Sequence, residues 1–208
     1  MRRFRAFPGD RSGAGAAEFA LMLPLFLLFM FGIIDAGRYA WAFNQAEKAT
    51  QIGARWAVVT DPVPSGLASH NFVSSTVAQG STVPLTAFNG VQCTTSGANI
   101  TPVCTCNPGG VCGFDATQEN SAAWTGLVGR MQDIYANVAP ANVVLDYDWS
   151  GLGYAGDPNG PDVSPLVTVS LRDMEFQPTI LAVLGVTLPI PSASYSLTME
   201  DAQGTESN

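Results

Sequence analysis

From Phe19 to Ile34 the chain runs for 16 residues without a charge, and Leu21, Leu23, Leu25, Phe26, Leu27, Leu28, Phe29, Phe31, Ile33 and Ile34 fall within it. No water-soluble surface helix tolerates such a run. A transmembrane helix needs about 20 largely apolar residues to cross a hydrocarbon core of roughly 30 Å. The run is slightly short of that, so Ala14 to Ala17 must join it, which sets a span over about residues 16–36. Extending the span draws Glu18 towards the membrane. A carboxylate costs on the order of 2.5–3.5 kcal/mol at mid-bilayer and less near the edge, so the plain reading of Glu18 is an interfacial residue that snorkels into the headgroups.

Arg2, Arg3, Arg5 and Arg11 precede the run, and only Arg38, Lys48, Arg55, Arg130 and Arg172 follow it. That asymmetry keeps residues 1–13 in the cytoplasm and translocates the bulk of the chain. The formal charge is −8 overall, and the chain without its leader is more acidic still. A surface that neutralises phosphates is therefore excluded, and no nucleic-acid partner is expected.

Past Asp35 the helix should continue. Tyr39, Ala42, Phe43, Ala46, Ala49, Ile52, Gly53, Trp56 and Val59 recur at steps of three and four, one apolar face of a helix. No proline intervenes between Pro24 and Pro62. A helix from Ala14 to about Thr60 would extend roughly 70 Å, its first half in lipid and its amphipathic second half against a globular domain of residues 61–208. Pro24 predicts a kink or local opening. Gly32, Ala36 and Ala40, four apart, form a strip of small residues along which another helix could pack closely.

Residues 61–120 read as mostly irregular surface chain, punctuated by Pro62, Pro64, Pro84, Pro102 and Pro108, with weak alternation at Phe72, Val73, Val77, Val83 and Leu85. Cys93, Cys104, Cys106 and Cys112 lie within this stretch. Four cysteines allow three pairings. As two disulfides in an oxidising compartment they would tie the long loop down, with Cys104–Cys106 the least comfortable pair. Their spacing lacks the paired C-x2–4-C of a zinc site.

Ser121 to Val138 predicts a second helix, with Ser121 as its cap and Pro140 as its stop. Residues 143–149, 166–171 and 193–199 read as strands. The expected fold is α+β: a long N-terminal helix packed on a small antiparallel sheet, with a disulfide-stapled loop region. The apolar stretch Pro178 to Gly185 predicts a short helix over a sheet edge.

The N-terminus supports a more specific expectation. A basic leader, Gly13, four small residues, Glu18 and an apolar helix resemble the class III signal of type IV pilins. Glu18-Phe19-Ala20, Pro24 and the exit Gly32-Ile33-Ile34-Asp35-Ala36-Gly37-Arg38 look like the TadE family, the pilin-like proteins of the Flp/Tad tight-adherence pilus. The match is most specific from residue 11 to about 60, and strand, apolar helix and final strand near Met199-Glu200 echo it less specifically. In the family the exit acid is often glutamate, where this chain has Asp35. The resemblance implies cleavage by a prepilin peptidase between Gly13 and Ala14, which makes Glu18 the fifth mature residue and a helix-assembly charge. Gly15 is the other candidate for the cut. It also implies other pilin-like subunits and Tad assembly proteins as partners. The protein would sit in the bacterial inner membrane as a single-pass protein with a periplasmic domain, with possible incorporation into an extracellular pilus.

Two other organisations compete: a secretory signal cut at Ala40-Trp41-Ala42, separated from the apolar run by Asp35 and Arg38, and a membrane-anchored extracytoplasmic binding domain unrelated to pili. A secreted hydrolase is disfavoured because His70 is the only histidine, and it reads as a solvated loop residue. No catalytic set, phosphate-cradling loop or cofactor site is expected. Asp146/Asp148 and Asp173/Glu175 each read as a solvated stripe on a strand. The turn Gly156 to Asp162 has oxygen donors but not the spacing of a calcium loop.

Overall fold

The computed structural model describes residues 13–97, 101–109, 111–158, 160–179, 182 and 185–199. Leader residues 1–12, Glu200 at the end of the C-terminal echo, and Ile180, Leu181, Val183 and Leu184 of the expected apolar helix lie outside these. The elements in chain order are α1 (Ala14–Val59), α2 (Gly66–Ser69), β1 (Gly90–Thr94), β2 (Val103–Cys106), α3 (Ser121–Ile134), β3 (Val143–Asp148), β4 (Leu166–Leu171), β5 (Met174–Phe176), β6 (Leu188–Ile190) and β7 (Ala193–Thr198). The fold is α+β, as the sequence predicts. α1 is helical over 46 residues and remains so across Pro24, so the expected opening there does not interrupt it.

The chain divides into two compact units. The first comprises Met1–Trp41 with Gln177–Leu188, and the second Ala42–Phe176 with Pro189–Asn208. The second unit is built on a five-stranded antiparallel sheet of order β2-β1-β3-β4-β7, while β5 and β6 form a separate ladder. Strand alternation gives this sheet two chemically different faces. On one, Val91, Tyr147 and Val167 form a cross-strand row, and Cys93, Leu145 and Val169 another; all six are buried. On the other, Gln92, Asp146, Thr168 and Ser196 line up. There the Gln92 amide donates to the Asp146 carboxylate at 2.7 Å, and Thr168 and Ser196 share a hydrogen bond at 2.8 Å.

The C-terminal half of α1 and the helix α3 cover the apolar face. Ala42, Ala46, Ala49, Ala54, Trp56, Ala57 and Val58 are buried, and small side chains let the backbones approach. A Cβ on Gly53 would press on Met131 of α3 and Val169 of β4, so α1, α3 and β4 meet there. The loop after α1 is fixed by Tyr147, whose buried phenol oxygen accepts from the Val63 backbone N–H at 3.1 Å.

Residues 61–120 are mostly irregular, as expected, but β1 and β2 form a hairpin within them across which Cys93 faces Cys104. Two expectations need correction. The second cap is Asn120, whose side-chain oxygen accepts from the N–H groups of Ala122 and Ala123 at 3.1 and 3.0 Å. The same helix ends at Ile134, four residues early, because Tyr135 is extended (φ −135°). Tyr135 and Val138 are nonetheless buried, which is why the apolar period outlasts the helix.

Candidate functional site

The candidate site is the first unit, the N-terminal part of α1 with residues 177–188. None of its most apolar window is buried. Phe19, Leu21, Met22, Leu25, Phe26, Phe29 and Ile33 are all well exposed, and by length and composition this is a helix able to cross a membrane. Its outward face therefore has no partner within the described residues. Gly13 begins the described chain, α1 starts at Ala14, and Glu18 lies on the first exposed turns. Gly32, Ala36 and Ala40 are exposed, with nothing within 4 Å of a Cβ placed on Gly32. The small-residue strip is thus open along its length.

Where the uncharged run ends, a compact polar cluster closes the helix face. The Asp35 carboxylate accepts from the Thr179 backbone N–H through one oxygen at 2.8 Å. The other accepts from the Thr179 hydroxyl and the Arg38 guanidinium, each at 2.8 Å. Arg38 also donates to the Thr179 hydroxyl oxygen at 2.7 Å. The Asp35 side chain is 13% exposed and that of Arg38 49%. A carboxylate holding a backbone N–H, a hydroxyl and a guanidinium has its lone pairs satisfied and its charge compensated where water thins out. Asp35 is named by the sequence, but Thr179 is not, because its partner lies 144 positions away. The Pro178 carbonyl, next to the pinned threonine, accepts from Ala182 N–H at 2.9 Å.

The remaining sequence candidates fall in the second unit. The cysteines form two disulfides, Cys93–Cys104 and Cys106–Cys112. The first staples the β1–β2 hairpin and the second the loop that follows it. His70 is not a solvated loop residue: it is half-buried, with its ring edge-on to Phe72 at 4.5 Å and tilted against Phe114 at 5.9 Å. Asp146 is likewise less solvated than a free stripe. Burial pushes its carboxyl above the usual range, offset in part by the Gln92 hydrogen bond. In the turn 156–162, Asn159 lies outside the described residues. Asp162 is buried and turns both oxygens onto backbone, accepting from Phe72 N–H at 2.7 Å and Asp157 N–H at 3.1 Å. Among the described residues, no group of three or more His, Cys, Asp or Glu is placed to hold a metal ion.

Fold and site together define a class: a disulfide-bonded α+β domain carried on a long helix whose N-terminal half is apolar and uncovered. Residues 13–55 match the family model described as TadE-like protein, a structural, pilus-associated family. The matched segment covers the uncovered half of α1, the Asp35–Arg38 cluster and most of the half that enters the sheet domain. No curated protein and no solved structure matches the chain.

Proposed function

We propose that the protein is a pilin-like component of a Flp/Tad-class pilus, a minor subunit or assembly factor acting in surface attachment. It is carried in the bacterial inner membrane on α1, with its second unit on the periplasmic side. A prepilin peptidase cuts between Gly13 and Ala14, and the partners are other pilin-like subunits and Tad assembly proteins. The observation that carries this reading is a coincidence of extents. The TadE-like match spans one continuous helix whose first half is apolar and uncovered and whose second half is core of a folded domain. That division of labour suits a subunit held by its helix and recognised by its domain.

Cleavage at Gly13 would create an ammonium at Ala14, four residues before Glu18. A carboxylate drawn into lipid protonates or seeks a cation. In a bundle of such helices the Ala14 terminus of a neighbour supplies that cation, so a single charge pair in a low-dielectric layer sets the register between subunits. The test compares Glu18→Gln and Glu18→Asp in cells. The glutamine variant is expected to insert, to be cut before Ala14 and to form both disulfides, yet to lose crosslinking to partner pilins. The aspartate variant should retain part of it. Normal co-assembly of the glutamine variant would reduce Glu18 to a snorkelling residue, and a mature N-terminus at Phe43 would establish the secretory reading instead.

A further inference from the structure

No Asp, Glu, Lys or Arg occurs from Phe176 to Met199, although Arg172, Asp173 and Glu175 crowd the approach to this stretch and Glu200 and Asp201 follow it. Packing accounts for the two ends of the loop between β5 and β6, where Phe176, Pro178 and Ile190 are buried. It does not account for what lies between. Ala182, Gly185, Val186 and Leu188 are exposed, the two larger side chains at 41% and 39%. The loop is closed at its base by the β5–β6 ladder. Within it Ala182 N–H donates to the Pro178 carbonyl at 2.9 Å and Gly185 N–H to the Ala182 carbonyl at 3.0 Å. Of its two threonines, Thr179 is committed to Asp35 and Arg38 and Thr187 is half-buried. The exposed side of the loop is therefore apolar and uncharged.

What such a loop meets is set by where it is held. Asp35 is the first charge after the run Phe19 to Ile34, and Arg38 is the next. On a helix that crosses a membrane, those two mark the level at which hydrocarbon gives way to headgroups. Thr179 is bonded to both, and residues 177–188 fall in one compact unit with the apolar half of α1. A charge-free loop fastened at that depth is bathed by lipid wherever α1 does not cover it. Lipid also suits its chemistry, because acyl chains cover apolar surface without asking for a directional partner. Protein interfaces are anchored mostly by Trp, Tyr and Arg, and none of these occurs from Gln177 to Leu188.

We propose that residues 178, 179, 182 and 185–188 form a second lipid contact, a loop that Asp35 holds in the periplasmic leaflet beside the span. The inference rests on the membrane reading of α1 given above. A lipid contact off the helix axis resists rotation of α1 about itself, which a single span cannot do.

The experiment places a photo-crosslinking residue at Val186, at Phe29 within the span, or at Val103, an exposed valine of β2, in the full-length protein in native membranes. Phospholipid adducts are then measured by mass spectrometry. Expected is a lipid yield at Val186 comparable to that at Phe29 and well above that at Val103. Adding Asp35→Ala removes a charged acceptor from Thr179 and should lower the Val186 yield about tenfold, with the Phe29 yield and both disulfides unchanged. Three results would overturn the inference and leave the span standing: no lipid adduct at Val186 while Phe29 gives one, an adduct there with protein instead, or a yield untouched by Asp35→Ala. Absence of lipid adducts at Phe29 would overturn the membrane reading itself, and this inference with it.

Discussion

Tyr147→Phe removes one oxygen atom and nothing else, which makes it a direct probe of how the loop after α1 is tied to the sheet. The phenol is 1% exposed, as is fitting for a ring in the middle of the buried face, and Val63, whose N–H it accepts, is 2% exposed. The phenylalanine ring refills the same space, so no cavity term arises. What remains is a buried backbone N–H without an acceptor, a loss of about 1–3 kcal/mol. For a domain of this size 1 kcal/mol shifts Tm by roughly 2–4 °C, so a fall of about 2–12 °C is expected in detergent-solubilised protein. In urea the midpoint should drop with an unchanged slope, since the surface exposed on unfolding is the same. Alkaline titration supplies a second readout. Burial raises the Tyr147 phenol above its ordinary value, so unfolding releases a proton once pH exceeds about 10. The tyrosine's contribution is therefore fully present below that pH and is lost as pH rises through it, and the gap between the two proteins should narrow there. Equal stability at pH 7 would refute the reasoning, by showing that Val63 N–H has another acceptor.

Asn120→Ala should destabilise the second unit by about 0.5–2 kcal/mol, because Ala122 and Ala123 lose their shared acceptor, whereas Asn120→Asp should hold; urea unfolding of both variants checks this. Replacing both Cys93 and Cys104 by serine should cost roughly 2–4 kcal/mol, and protein from the native envelope should show no alkylatable thiol before reduction, since the described residues leave no cysteine free. Asp146→Asn should raise Tm at pH 7, since a carboxyl whose folded pKa is raised works against folding once ionised. As pH falls through the carboxylate range the folded protein takes up this proton first, and the advantage of the amide should vanish, which melting curves from pH 7 to pH 3 would show.

What the sequence makes legible depends on whether a partner lies close along the chain. β4 can be read directly because Val167, Val169 and Leu171 alternate with side chains on the polar face, and a period of two survives without tertiary information. β1 and β2 are hidden. Their inward positions are Val91, Cys93 and Cys104, and their outward ones Gln92 and Thr105; cysteines read as staples do not register as an apolar stripe. Val77 and Val83 are buried without belonging to any strand, so apolar residues in a loop cannot by themselves announce sheet. At the helix the charge pattern shows Glu18 and Asp35, but the Thr179 pin depends on a chain segment that returns from the far end of the sequence.

The uncovered half of α1 carries an energetic demand that limits what can surround it. Twelve large apolar side chains between Phe19 and Ile34 are at least 36% exposed. Fully covering one contributes about 1.5–3 kcal/mol, so together they hold on the order of 20–30 kcal/mol, against the roughly 5–15 kcal/mol by which a typical domain is stable. A chain with this helix in water would aggregate before its domain unfolded. Lipid meets the apolar demand all round, but it offers nothing to a carboxylate. Asp35 has Arg38 and Thr179, whereas among the described residues Glu18 has no ion pair. On the reading proposed here, lipid serves the span and a neighbouring helix serves Glu18, approaching along the open strip of Gly32, Ala36 and Ala40. Small residues permit the approach at one end, and the charge fixes its register at the other. Bulk at the strip and loss of charge at Glu18 should then fail differently: Ala36→Leu would weaken every helix contact along the strip, while Glu18→Gln would leave contact and remove only its register.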